Sequence, residues 1–179
     1  MATSTASAVM VPLEEYLRTS YEHGCEWVDG QLKERGLPDG YHGFFQGFFL
    51  MFFEQRRMKF GLRAMSEVRM RVRAGSYRIP DVMVIPADAP FLPTPTVTPS
   101  ICVEVLSPDD RVSDLQEKID DYVLMGVGSI WIVDPRRRTM ATADADGIHR
   151  VEEFRIPGTQ ARLTSAELFA GLDELERLK

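Results

Sequence analysis

The sequence predicts an α/β fold built on a mixed β-sheet flanked by helices. Two observations carry this. Residues 101–106 (ICVEVL) and 129–134 (SIWIVD) are short apolar runs separated by a helical pattern, the order of a right-handed βαβ crossover. In residues 67–73, Val68, Met70 and Val72 alternate with Glu67, Arg69, Arg71 and Arg73, a strand with one polar, mostly basic face.

The 179 residues suffice for one domain with a continuous core. Residues 1–11 read as a flexible N-terminal tail, without the charged start of a signal peptide, and 12–179 as the single domain. "VPLEEYLR" is a short helix entered through Pro12. "CEWVDGQLKER" places an Asp-Gly turn between two strands, a hairpin signal. Residues 41–61 have helical length and stop at Gly61; close packing on a sheet is the expected reason for the internal glycines, Gly43 and Gly47. After the alternating strand, Gly75-Ser76 supplies a turn and Ile79–Ile85 a return strand, with Pro80 tolerated at its start. "PADAPFLPTPTVTP" is a loop. Residues 113–127 are a helix with a capping box of Ser113 and Gln116. An Asp-Gly hairpin and a terminal helix over "TSAELFAGL" complete the chain.

The balance of 21 basic and 27 acidic side chains gives a net charge of −6, so no global basic field draws a polyanion. Any nucleic acid must be held by a local patch or through metal ions. Cys25 and Cys102 form no zinc-type cluster, and a reducing, cytoplasmic setting fits them. The most apolar window, "FFQGFFLMFF", is too short to span a bilayer, so no membrane association is expected.

Glu104 is the lone acid in an apolar strand. An unpaired carboxylate there costs several kcal/mol by order of magnitude, so a metal, a cation or a hydrogen-bond partner must meet it. Asp81 repeats the pattern within "RIPDVMVIP". On the helix, Leu115, Ile119, Tyr122 and Val123 share an apolar stripe, and Lys118 projects about 40° from Tyr122. Glu117, Asp120 and Asp121 point well away. Lys118 can therefore lie along the sheet and bring its ammonium to a strand end. Two acids and a lysine suit hard Mg²⁺, with Mn²⁺ as a substitute, and phosphoryl chemistry. The plainer reading is a buried Glu104–Lys118 salt bridge with Asp81 capping a turn.

The order of these residues resembles the PD-(D/E)XK nuclease superfamily. More closely, "EYLRTSYEHGCEWVDGQL", "YRIPDVMVI", "VEVLSPDDRVSDLQEKIDDYVLMGV" and "IWIVDPRRR" resemble the bacterial Uma-two family of restriction-endonuclease-like proteins. The resemblance implies a restriction-endonuclease-like fold and DNA as substrate. It implies metal binding by Asp81, Glu104 and the Val105 carbonyl. Leu106 stands where the superfamily motif has its lysine, a role that would pass to Lys118 on the following helix. Such nucleases often pair, so a homodimer using the aromatic helix is an expectation.

Glu67 is a candidate auxiliary acid, or else pairs with strand arginines on a solvated face. Arg69, Arg71 and Arg73, with Arg78 nearby, form the best phosphate-contact stripe, or an ordinary charged sheet face. Ser107 bonds a site carboxylate or, the preferred reading, ends the strand. Tyr122 is read as core packing over a catalytic hydroxyl, His42 as a surface residue over one that caps the helix or faces the cleft, and Asp109-Asp110-Arg111 as a solvated turn. The rival to a nuclease is a catalytically inactive module of the same fold that binds nucleic acid or serves assembly.

Overall fold

The structure, a computed structural model, describes residues 10–21, 24–36, 38–108 and 110–177. A short helix α1 (Leu13–Arg18) leads into the hairpin β1 (Cys25–Val28) and β2 (Gln31–Glu34). Helices α2 (Gly40–Glu54) and α3 (Arg57–Phe60) follow, then β3 (Leu62–Ser66), β4 (Met70–Arg73), β5 (Ser76–Arg78) and β6 (Val82–Pro86). The crossover is β7 (Ile101–Val105), α4 (Val112–Met125) and β8 (Ile130–Asp134). The chain ends with β9 (Thr139–Asp144), β10 (Gly147–Val151), β11 (Glu153–Arg155), β12 (Arg162–Thr164) and α5 (Ser165–Arg177).

A six-stranded sheet runs in the order β10-β9-β8-β7-β6-β3, with β7 and β8 as its parallel pair. A four-stranded antiparallel sheet, β2-β1-β5-β4, stands apart from it, and β11 pairs with β12. Side chains on β7 alternate as a strand requires. Ile101, Val103 and Val105 pack with Phe45, Phe49 and Phe53 of α2, and with Trp131 and Phe154. Those last two rings stack at 4.4 Å. Cys102 faces the other way, with Ile119 and Tyr122 of α4 and Met70 and Val72 of β4. Glu104 shares that second face.

Helix α4 is therefore clasped on two sides. Its apolar stripe covers the large sheet, and Asp121 on its far flank meets Arg73, Ser76 and Arg78 of the small one. Asp121 is only 6% exposed, so the expectation that it points away from all packing is corrected. The small sheet covers that flank, which one helical wheel cannot reveal.

Of the return strand expected over residues 79–85 only the part from Val82 onward is strand, β6, and the strand that follows the Gly75 turn is β5, which ends at Arg78 in the other sheet. β5 pairs with β1 and β4, whereas β6 pairs with β3 and β7. Pro80 has no N–H to give a ladder, and the Ile79 N–H goes to the Glu26 carboxylate, so the chain changes sheets at Pro80-Asp81. Val68 lies outside β4, and residues 62–66 form the unforeseen edge strand β3. The helix expected over 41–61 divides after Glu54, with Gly61 closing its second part in the left-handed region (φ 65°).

The capping box is also corrected. Arg111 takes the N-cap position of α4 without a side-chain bond, and Gln116 bonds Asp120 instead. At the tail boundary, Met10 bridges Gln31, and Val11 is buried and accepts a bond from Trp27 Nε1. Residues 1–9 lie outside the described residues. No described helix is long and apolar enough to cross a membrane.

The α2 glycines are not packing contacts. A Cβ at Gly43 or Gly47 would find nothing within 4 Å. Gly47→Ala should stabilise the protein by about 1 kcal/mol through helix propensity. In a chain of this length that raises Tm by about 3 °C, and a thermal melt showing a lower Tm would refute it. Gly128 is the opposite case. A Cβ there would lie 2.8 Å from the Ser100 carbonyl oxygen, where the chain passes the start of β7.

Candidate active site

Glu104, at the C-terminal end of β7, accepts hydrogen bonds from Lys118 Nζ at 2.9 Å and Tyr122 OH at 2.6 Å. Both donors sit on α4, one helical turn apart, so the crossover itself builds this pair. The Tyr122 ring is core packing as expected, and its hydroxyl also fixes the carboxylate, a role the sequence reading did not assign. Lys118 Nζ lies 3.4 Å from Glu26 Oε1, so two buried acids share one ammonium.

Asp81 stands where the chain enters the large sheet. Its Oδ2 accepts the Val105 backbone N–H at 2.7 Å, and its Oδ1 accepts from Arg35 Nη2 at 2.6 Å. His42 Nε2 is 3.6 Å from Oδ2. His42 is 8% exposed and lines the cleft, so the preferred surface reading is corrected in favour of the cleft-facing alternative. The carboxylate of Asp39 caps α2 by accepting from the Tyr41 and His42 amides, which turns the imidazole inward. Asp81, Glu104, Val105, Lys118 and Glu67 line one cleft of about 970 Å³.

Burial pushes Glu104 up to about 7, and Asp81 adds to that, while Lys118 and the Tyr122 hydrogen bond hold it down. Burial works against the Lys118 ammonium, but Glu104, Glu26 and Asp81 outweigh it, so the amine titrates above its usual range. For Glu26 burial raises the pKa, yet Lys118 and Arg78 prevail and keep it below the ordinary carboxylate range. Lys118 is thus a fixed cation.

Glu67 does not pair with the strand arginines. It takes up a left-handed backbone (φ 56°) between β3 and β4, bonds Arg35, and accepts from Gln46 of α2. The arginine stripe is corrected as well. Arg78 is 2% exposed, held by Glu26 and Asp121. Arg73 crosses to the α4 side at a bulge and binds Asp29 and Asp121. Arg69 donates to the Tyr16 carbonyl and lies over the Tyr16 ring, leaving Arg71 exposed. The alternation reads one face, whereas the bulge and the small sheet divide it.

Ser107 lines the cleft, and its amide donates to Asp110. Asp109 lies outside the described residues. Glu26 and Arg35 were not found from sequence. Glu26 carried the signal that exposed Glu104, a lone acid in an apolar strand. Arg35 carried none.

The family model described as "Uma2: Putative restriction endonuclease" matches residues 13–176. The chain belongs to the Uma2 family. Among solved structures, this Uma2 chain is similar to one described as a "putative nuclease belonging to DUF820" from Anabaena variabilis. The two are 20% identical, the match covers 90% of this chain and 99% of that one, and the TM-score is 0.76. They share the fold. A cryo-EM structure of a DrdV–DNA complex also matches, at 18% identity over 73% of this chain and 11% of that one, with a TM-score of 0.40. No curated protein sequence matches.

The donor set of the Uma2 cleft suits a hard cation. Among the described residues no group of three His, Cys, Asp or Glu side chains is arranged to hold a metal. Mg²⁺ needs only one or two carboxylates and keeps its remaining positions for water, a backbone oxygen or substrate. Asp81 and Glu104, both under 5% exposed, offer those carboxylates.

Proposed function

We propose that the chain is a divalent-metal-dependent endonuclease that hydrolyses phosphodiester bonds in DNA. One observation carries the reading: two buried acids, Asp81 at the entrance to β6 and Glu104 on the neighbouring β7, open into one cleft with Lys118 2.9 Å from Glu104. Membership of the Uma2 family supports it. Asp81, Glu104 and the Val105 carbonyl would hold Mg²⁺, with Mn²⁺ as a substitute. When bound, the cation supplies an acidified water and offsets charge on the phosphoryl oxygens.

The chain's own residues divide the remaining work. Lys118, charged throughout the neutral range, cannot act as a base; it positions the attacking water and stabilises developing negative charge. Tyr122 fixes the rotamer of Glu104, so that one carboxylate oxygen faces the cleft. The Val105 amide does the same for Asp81. Glu67 serves by anchoring Arg35 at the cleft wall.

Plasmid and single-stranded DNA incubated with Mg²⁺ or Mn²⁺ test the reading. Wild type should cleave, and Asp81→Ala should lose more than about a hundredfold, beyond the usual cost of losing a residue that only orients a metal ligand. Equal cleavage by both would remove Asp81 from the site. The second reading is an inactive module, and a specific observation favours it: every carboxylate oxygen of Asp81 and Glu104 already has a protein donor. Calorimetric titration with Mg²⁺ separates the two, because a retired site gives no heat that depends on Asp81.

A further inference from the structure

Arg35 sits on the atom that a cation would need. Its Nη2 donates to Asp81 Oδ1, while the other Asp81 oxygen is already committed to the Val105 amide. A guanidinium does not deprotonate in a protein, so a cation arriving at Asp81 must displace it rather than neutralise it. The displaced group has somewhere to go. Glu67 grips Arg35 from a left-handed turn, Gln46 steadies Glu67, and the Glu67 side chain is 41% exposed. Arg35 itself is 13% exposed, so it lies at the boundary between the buried acid and the open cleft.

We infer that Arg35 is a latch and a phosphate-binding residue: it closes on Asp81 while no cation is bound, and when displaced it turns, still anchored by Glu67, to a phosphate of the bound nucleic acid. The inference rests on the metal site proposed above. Its chemistry follows from the fork of donors that fits a carboxylate and a phosphate equally well. A cation on Asp81 and a phosphate beside it exchange the partners of one arginine without leaving any charge unpaired. The latch also explains why Asp81 Oδ1 is occupied by an arginine in a chain that belongs to a nuclease family.

Mn²⁺ titrations of wild type, Arg35→Gln, Arg35→Lys, Arg111→Gln and Asp81→Ala provide the test. Arg35→Gln should bind Mn²⁺ about tenfold more tightly, as removal of one charge-assisted competitor predicts. Arg35→Lys, which keeps the charge and loses the fork, should fall between it and wild type. Arg111, exposed on the same cleft, reports the general field, and its loss should change little. A short duplex titrated in Ca²⁺ across a salt series should bind Arg35→Gln more weakly, with a slope shallower by about one.

The latch is overturned if Arg35→Gln leaves Mn²⁺ affinity unchanged or weaker, or if Arg111→Gln tightens it as much. Unchanged duplex affinity and slope would overturn the phosphate role. If Asp81→Ala binds Mn²⁺ as wild type does, the metal site itself is misplaced and the latch falls with it. Circular dichroism on each variant shows that differences in binding do not arise from unfolding.

Discussion

Lys118→Met is expected to destabilise the protein by about 4 kcal/mol at pH 8.5, the cost of leaving a buried charge without its partner, and by about 2 kcal/mol less at pH 5.5, the most that ~1.4 kcal/mol per pH unit recovers between pH 8.5 and a folded pKa of about 7. The sign follows from Glu104. Its folded pKa of about 7 lies above the ordinary value of 4.5, so between those limits the folded state holds the proton more firmly than the unfolded state. Glu104 therefore subtracts stability as pH rises through that window. Without the ammonium its carboxyl titrates higher still, and the window extends upward. In acid Glu104 is neutral in both proteins and the deficit shrinks; Glu26 keeps Arg78 as a partner. Urea unfolding at the two pH values measures this, and an equal deficit at both would show that Glu104 and Lys118 are not a charge pair.

Arg78→Met should be costlier at neutral pH, about 5 kcal/mol, because one deletion strips a donor from two buried acids. Arg78 donates to Glu26 at 2.9 Å and to Asp121 at 2.6 Å, and all three residues are under 7% exposed. Glu26, held below its ordinary range, contributes stability that is present above about 4.5 and lost as pH falls through its folded pKa. The deficit should accordingly be largest near neutrality and fade in acid. The double variant Arg78→Met/Asp121→Asn should lose less than the sum of the two single changes, since contacting residues do not add. Strict additivity, or a loss below about 1 kcal/mol, would contradict the arrangement. The change also reaches the cleft. Without Arg78, Lys118 is the remaining cation beside Glu26, which shares it with Glu104.

Much of the architecture was legible because it is local. The 25–34 hairpin announces itself through Asp29-Gly30, and the parallel crossover through two apolar runs around an amphipathic helix. Glu104 and Lys118 were legible for a related reason: each breaks an apolar pattern, and a period of two and a period of 3.6 bring them to the same edge. What escaped was set by distant pairing. An apolar run such as Ile79–Ile85 does not reveal that the strand before it, β5, belongs to one sheet and the strand within it, β6, to another, and only Pro80 marked the break. The arginines of β4 alternate correctly up to a bulge that no pattern foretells. Asp121 looked solvated because its partners arrive from another sheet. Arg35 follows a hairpin with nothing in its neighbours to distinguish it, and its meaning comes wholly from Asp81, 46 positions away.

Gly128 carries a lesson for anyone reshaping this molecule. It is exposed and lies outside the cleft, so a survey of tolerant surface positions would select it for decoration. Yet its missing side chain is what allows the incoming segment of β8 to brush against the main chain that launches β7. The separation of the two parallel neighbours is gauged there, at the root of the crossover, and every residue that α4 delivers to the opposite rim inherits that gauge.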